Sequence, residues 1–195
     1  MDEHIPLFLS DEVRKQIEQA KQGADDSDHR FIDHLVSGYK WQLYVLNAIQ
    51  SQGYWGTVHP LQVRPDFGQR DDYSDAFDIL VGPSPHQIGV QWTHNLDVKA
   101  RTRAFESPED FPFPTIIIEP ASRFTARGEL LPTHFAMVSQ YTGGIIVISS
   151  ESARDWSTEY KKGRKYITAP KESFMSFDDY IASLPTLPLH SLGKR

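Results

Sequence analysis

The sequence predicts an α/β protein, a mixed central β-sheet flanked by helices. Three observations carry that expectation. Two N-terminal stretches have helical spacing and caps, the middle breaks into short β-rich runs of period two, and a capped helical stretch returns near the end. At 195 residues the chain suits one domain with one sizeable core.

The first helical stretch is SDEVRKQIEQAKQG, with Ser10 as N-cap, Asp11 and Glu12 in the positive first turn and Gly23 as the stop. The second runs from about His29 to Gln52 and is closed by Gly53, with Gly38 as a point of bending or breaking. Its apolar stripe is Phe31, Leu35, Val45, Leu46 and Ile49, and Gln42 falls near the middle of that stripe. A polar side chain there must find a partner, either within the core or in a functional site.

The period then changes. WGTVHPLQVRP suits an edge strand interrupted by Pro60. DAFDILVG is a short strand ending in the turn GPSPHQ, and IGVQWTHNLDVKART alternates over a long stretch. In that stretch Leu96 and Val98 take one face, while Gln91, Asp97, Lys99 and Arg101 take the other. TIIIE reads as a buried strand, and IIVISS as another beyond a Thr-Gly-Gly turn; HFAMVSQY fits either a strand or a helix. SFDDYIASL reads as a helix with Ser176 and Asp179 in capping-box positions.

Composition excludes several classes. Hydrophobic residues at 39% and aromatics at 12% mark a globular chain, not a disordered one. No apolar run approaches the roughly 20 residues of a membrane span. The opening MDEHIPLFLSDEV lacks the basic start and long apolar segment of a secretory signal, so a cytoplasmic chain is expected. With no cysteine, any metal is held by carboxylates, carbonyls or histidines. The eight histidines form no HExxH spacing, which leaves a hard, oxygen-bound cation such as Mg²⁺ as the default. A net charge of −6 argues against a protein that coats nucleic acid non-specifically.

Asp78 interrupts the apolar run AFDILV, where a charged residue needs a cation, a hydrogen-bond network or water. Asp97 and Lys99, two apart on one strand, share a face, and the intervening Val98 turns its side chain to the core. Carboxylates and a carbonyl that hold a divalent ion beside a lysine suit phosphodiester hydrolysis. The plainer reading is an ordinary ion pair on a strand.

A helix with a polar residue, then a strand Asp, then D-x-K on the next strand resembles the PD-(D/E)XK nuclease superfamily. The matching segments are GYKWQLYVLNAIQSQGYW, AFDILV and LDVKAR. The resemblance covers about residues 31 to 120 and implies a restriction-endonuclease-like fold, Mg²⁺ or Mn²⁺, and a DNA substrate, expected to be double-stranded. It implies Asp78, Asp97 and the Val98 carbonyl as metal ligands, with Lys99 at the attacking water. Gln42 stands where the family often has a glutamate, and Phe77 where it has a proline. The expected organisation is a single nuclease-like domain over 1–195, its core about 28–185, with the helix over 10–22 peripheral. A homodimer would cut both strands at once.

Two basic groups are candidates for phosphate contacts: Arg101 with Arg103, and Lys161, Lys162, Arg164 and Lys165. A solvated face is the plainer meaning of such runs. RAFESPEDFPFP suits an ordered loop beside the site, and Asp71, Asp72 and Asp75 suit a solvated turn or extra carboxylates. The alternative function is a non-catalytic DNA-binding module on the same fold. In a third class, an assembly protein, Asp97 and Lys99 would be only an ion pair.

Overall fold

The computed structural model describes residues 9–22, 24–58, 61, 77–82, 94–128 and 130–185. Helix α1 (Asp11–Lys21) opens on Ser10, whose hydroxyl accepts from the Val13 amide. Its Ile17 and Ala20 bury, with Leu9, against Ile32 of helix α2 (Asp26–Ser51). Helix α2 begins ahead of the expected His29 because Asp25 caps it, accepting from the Ser27 and Asp28 amides at 2.8 and 2.9 Å. It runs through Gly38: one mid-helix glycine costs about 1 kcal/mol. Burial of Ile32, Val45, Leu46 and Ile49 outweighs that, at about 1.5–3 kcal/mol for each large apolar side chain.

The strands follow as β1 (Trp55–Val58), β2 (Ile79–Gly82), β3 (His94–Arg101) and β4 (Thr115–Pro120). After the short helix α3 (Ala121–Arg127) come β5 (His134–Ser139), β6 (Ile145–Ser149), β7 (Ser157–Lys161), β8 (Arg164–Pro170), β9 (Met175–Ser176) and helix α4 (Phe177–Ser183). Six strands form the main sheet in the order β1-β2-β3-β5-β6-β9. β3 and β5 are parallel, joined by a crossover through β4 and α3, and the other pairs are antiparallel. The fold is thus α/β with a mixed sheet flanked by helices.

One face of that sheet, with Ile79, Val81, Leu96, Ala136, Val138 and Val147, packs on α2 and on Tyr180 of α4. The other, with Phe135, Met137, Ile146 and Ile148, packs on Ile116 and Ile118 of β4 and Ala169 of β8. Every residue of β5 is buried, which is why HFAMVS reads as strand or helix from its pattern. Cover on the second face comes from a separate three-stranded sheet, β4-β8-β7, that the sequence reading did not anticipate. Its hairpin turns at Lys162 and Gly163, both with positive φ (50° and 76°), the signature of a type I′ turn inside the basic run KKGRK. At the C-terminal end Ser176 caps α4, as expected, by accepting from the Asp179 amide.

Pro60, Gln91, Asp71, Asp72 and Asp75 lie outside the described residues, as does the alternating stretch ahead of His94. Among the described residues no helix is long and apolar enough to cross a membrane.

The α4-facing side holds two histidines. His134 stacks on His94 at 4.4 Å between ring centroids and meets the edge of Tyr180. Burial, with His94 adding to it, pushes the His134 pKa down to about 4. A histidine depressed in the fold keeps its full stabilising effect above its unfolded pKa of about 6.5 and loses it as pH falls toward the folded value. Thermal melts should therefore show the melting temperature falling between pH 6.5 and pH 4, by about 5 °C or more. His134→Phe should flatten that limb; an identical acid limb in the variant would contradict the assignment.

Candidate active site

Asp97 and Lys99 share the face of β3 that the second sheet covers, opposite Phe135 and Met137 of β5. Asp97 is 2% exposed, and Lys99 Nζ lies 2.5 Å from its Oδ1. Asp78 sits one residue ahead of β2, at its start and not at the centre of an apolar strand as AFDILV implies. Three hydrogen bonds fix it there. Its amide donates to the Leu96 carbonyl at 2.8 Å, its Oδ2 accepts from the Val98 amide at 2.6 Å, and its Oδ1 accepts from Gln42 Nε2 at 2.8 Å. Packing of Val45 and Ile49 on the main sheet brings α2 close enough for that last contact. The structure thus brings Gln42, Asp78, Asp97 and Lys99 together.

It also adds three residues that sequence reasoning missed. β4 shifts register against β8 between Ile117 and Glu119, so that Glu119 pairs with Ile167. The irregularity re-aims Glu119 from the Ile117 side to the inner face, the usual effect of a bulge. There it is 2% exposed. Arg127 of α3 donates to it through Nε at 2.9 Å and Nη2 at 3.2 Å, and the same Nη2 bonds Asp97 Oδ2. Arg123, one turn earlier, lies 3.7 Å from Glu119 Oε2, and Lys99 Nζ lies 4.0 Å from the same oxygen. The available signal was the spacing by four of Glu119, the last residue of TIIIE, with Arg123 and Arg127.

Electrostatics separate the two aspartates. Burial, helped by the like charge of Asp97, pushes the Asp78 pKa up to about 7 against the pull of Lys99 and the Val98 amide. Burial works the same way on Asp97, but Lys99 and Arg127 outweigh it and hold that carboxyl below the usual range. The like charge of Asp97 raises the Asp78 pKa, a repulsion that a cation beside Asp78 would relieve. The Val98 amide points to Asp78, and a strand residue sends its N–H and C=O toward the same side. Because β2 pairs with β3 only from His94 to Leu96, the Val98 carbonyl lies on the edge of β3 turned toward Asp78. Among the described residues no three His, Cys, Asp or Glu side chains gather as a metal-ligand group. Two carboxylates plus a carbonyl, with water and substrate completing the shell, is a donor set that suits Mg²⁺.

Gln42→Glu would place a third acid against Asp78. Calorimetric titration should then show Mn²⁺ binding tightened on the order of tenfold, since ligand charge count sets affinity. The metal-free variant should melt lower than wild type. Unchanged Mn²⁺ affinity would count against a cation at this position.

The basic residues are placed less uniformly than their spacing implies. Arg101 turns inward, its Nη2 donating to the Ile117 and Ile118 carbonyls at 2.6 and 2.9 Å, beside the register shift in β4. Burial lowers its pKa to about 10, with Asp97 and Glu119 acting against it. Arg103 is exposed, its guanidinium 5.8 Å from the Phe113 ring centroid. The hairpin divides the other group: Lys161 and Arg164 pair across it, while Lys165 pairs with Tyr160 on the opposite face.

No family model and no curated protein matches the sequence. Among solved structures the chain is similar to D212, a nuclease from a fusselovirus, with a TM-score of 0.39 and 12% identity over 77% of this chain and 88% of that one. At that level the likeness transfers no function, and the site's chemistry rests on its own residues.

Proposed function

We propose that the chain is a Mg²⁺- or Mn²⁺-dependent endonuclease that hydrolyses DNA, a single cytoplasmic domain on the PD-(D/E)XK plan. The observation that carries the reading is the Lys99 ammonium on Asp97, with the Asp78 carboxylate bonded to the amide of the intervening Val98. In this reading Asp78, Asp97 and the Val98 carbonyl hold the cation, which would polarise the phosphate and acidify a bound water. Lys99 donates to the attacking water or to the charge that builds on the phosphate. Gln42 fixes the orientation of Asp78 through its amide. Arg127 and Arg123, on Glu119, add positive charge beside the acids where a phosphate would approach. Cleavage of both strands of a duplex by one site per chain calls for a homodimer.

One observation favours a second reading, a non-catalytic DNA-binding module. Both oxygens of Asp97 already have cationic partners, Lys99 and Arg127, and the residue facing Asp78 from α2 is a neutral glutamine. Incubation with supercoiled plasmid separates the two. The endonuclease nicks or linearises DNA with Mg²⁺ or Mn²⁺ and stops with chelator. The module binds DNA in a salt-sensitive, chelator-insensitive way and leaves it intact under every metal.

A further inference from the structure

Beyond the acid–lysine site, the end of β3, the loop over residues 102–114 and the outer face of the β4-β8-β7 sheet enclose a cleft of about 570 Å³. Four cations line it: Arg101, Arg103, Lys161 and Lys162. Phe113, 48% exposed, and Tyr166 supply aromatic surface, and Ile117 also lines the cleft. No Asp or Glu is among the lining residues; Glu159 lies 3.2 Å from Lys161 Nζ, and Asp97 and Glu119 act on Arg101. Lys162 has no ion pair among the described residues, and the buried Arg101 Nε has no hydrogen-bond partner among them.

We infer that this cleft binds an unpaired stretch of the DNA substrate, one strand threading from Arg101 toward Phe113. Size suits a single strand. The volume matches pockets that take small molecules, roughly 300–1,000 Å³, which accommodates a nucleotide. Chemistry decides for a nucleotide. Cations follow the phosphates while exposed aromatic faces stack bases, the pairing that single-strand binders use. Arg103 beside Phe113 presents a guanidinium and a ring at one place. Arg101 lies two residues past Lys99 on β3 and lines the cleft, which sets the cleft at the end of the strand that carries Asp97 and Lys99. The inference rests on the nucleic-acid reading above and narrows it to substrates with single-stranded segments, such as flaps, frayed ends or junctions.

Fluorescence anisotropy with a labelled oligothymidylate about 10 nucleotides long, in chelator, tests it on the full chain. Wild type should bind this strand at least tenfold more tightly than the same length of duplex. Phe113→Ala and Arg103→Glu, both at exposed positions, should each weaken single-strand binding by about tenfold and melt like wild type. Tyr160→Ala, exposed but outside the cleft, should change nothing. Equal affinity for duplex and single strand, or single-strand affinity within twofold of wild type in both cleft variants, would overturn the inference. Plasmid cleavage without cleft-dependent binding would remove the cleft and keep the nuclease. Cleft-dependent binding without cleavage under any metal would do the reverse.

Discussion

Lys99→Met is expected to slow metal-dependent plasmid cleavage by about 10²–10³-fold, the usual loss when one preorganised donor to developing charge is removed. The fold should survive the change, because Asp97 keeps its bond to Arg127 and methionine fills the volume of the lysine stem. Asp97→Asn should be at least as damaging, since it removes the charge that a cation at this position would need. If the two residues act as one unit, the double variant should be no slower than the worse single variant, because losses within one catalytic unit do not add. Single-turnover cleavage rates, with DNA affinity measured separately in chelator, read the effect on chemistry apart from binding. Wild-type rates in both single variants would remove these residues from the reaction.

The placement of that pair was legible because β-strands have a period of two, so Asp97 and Lys99 must share a face whatever the sheet around them does. Gln42 was legible for a similar reason: a polar residue inside an apolar helical stripe must point at something, and it points at Asp78. Asp78 stood out as a charge in an apolar run, but its joining to that pair came only from the resemblance, because period alone cannot say which strand lies beside which. Glu119 was hidden by a failure of the same rule. Strict alternation in TIIIE sets it on the side of Thr115 and Ile117, and only the extra residue at the register shift turns it inward to Arg127. The second sheet was hidden too, since TIIIE is equally apolar whichever sheet it joins, and KKGRK reads as charge instead of as a type I′ turn. Arg101 continues the polar face of β3 as alternation requires, yet its guanidinium finds carbonyls that the register shift in β4 leaves at hand.

The network around Glu119 should dominate stability. Its side chain is 1% exposed and answers Arg127 with both oxygens. Glu119→Leu strips the buried Arg127 of two of its acceptors and leaves Arg123 without its carboxylate. Breaking one side of a buried ion pair typically costs about 3–5 kcal/mol, because an uncompensated charge stays inside. For a chain of this length that lowers the melting temperature by about 10 °C. Arg127→Leu should cost a similar amount, since it removes a partner from both Glu119 and Asp97. In the Glu119→Leu/Arg127→Leu double variant the Glu119–Arg127 pair is gone from both sides, and the loss should fall well short of the sum. It should not return to wild-type stability, because Asp97 is then balanced by Lys99 alone among its two close cations. Thermal melts of the four proteins close the cycle. An additive double variant would mean that Glu119 and Arg127 contribute to stability independently, and that the acid–arginine cluster is not what holds α3 against the main sheet.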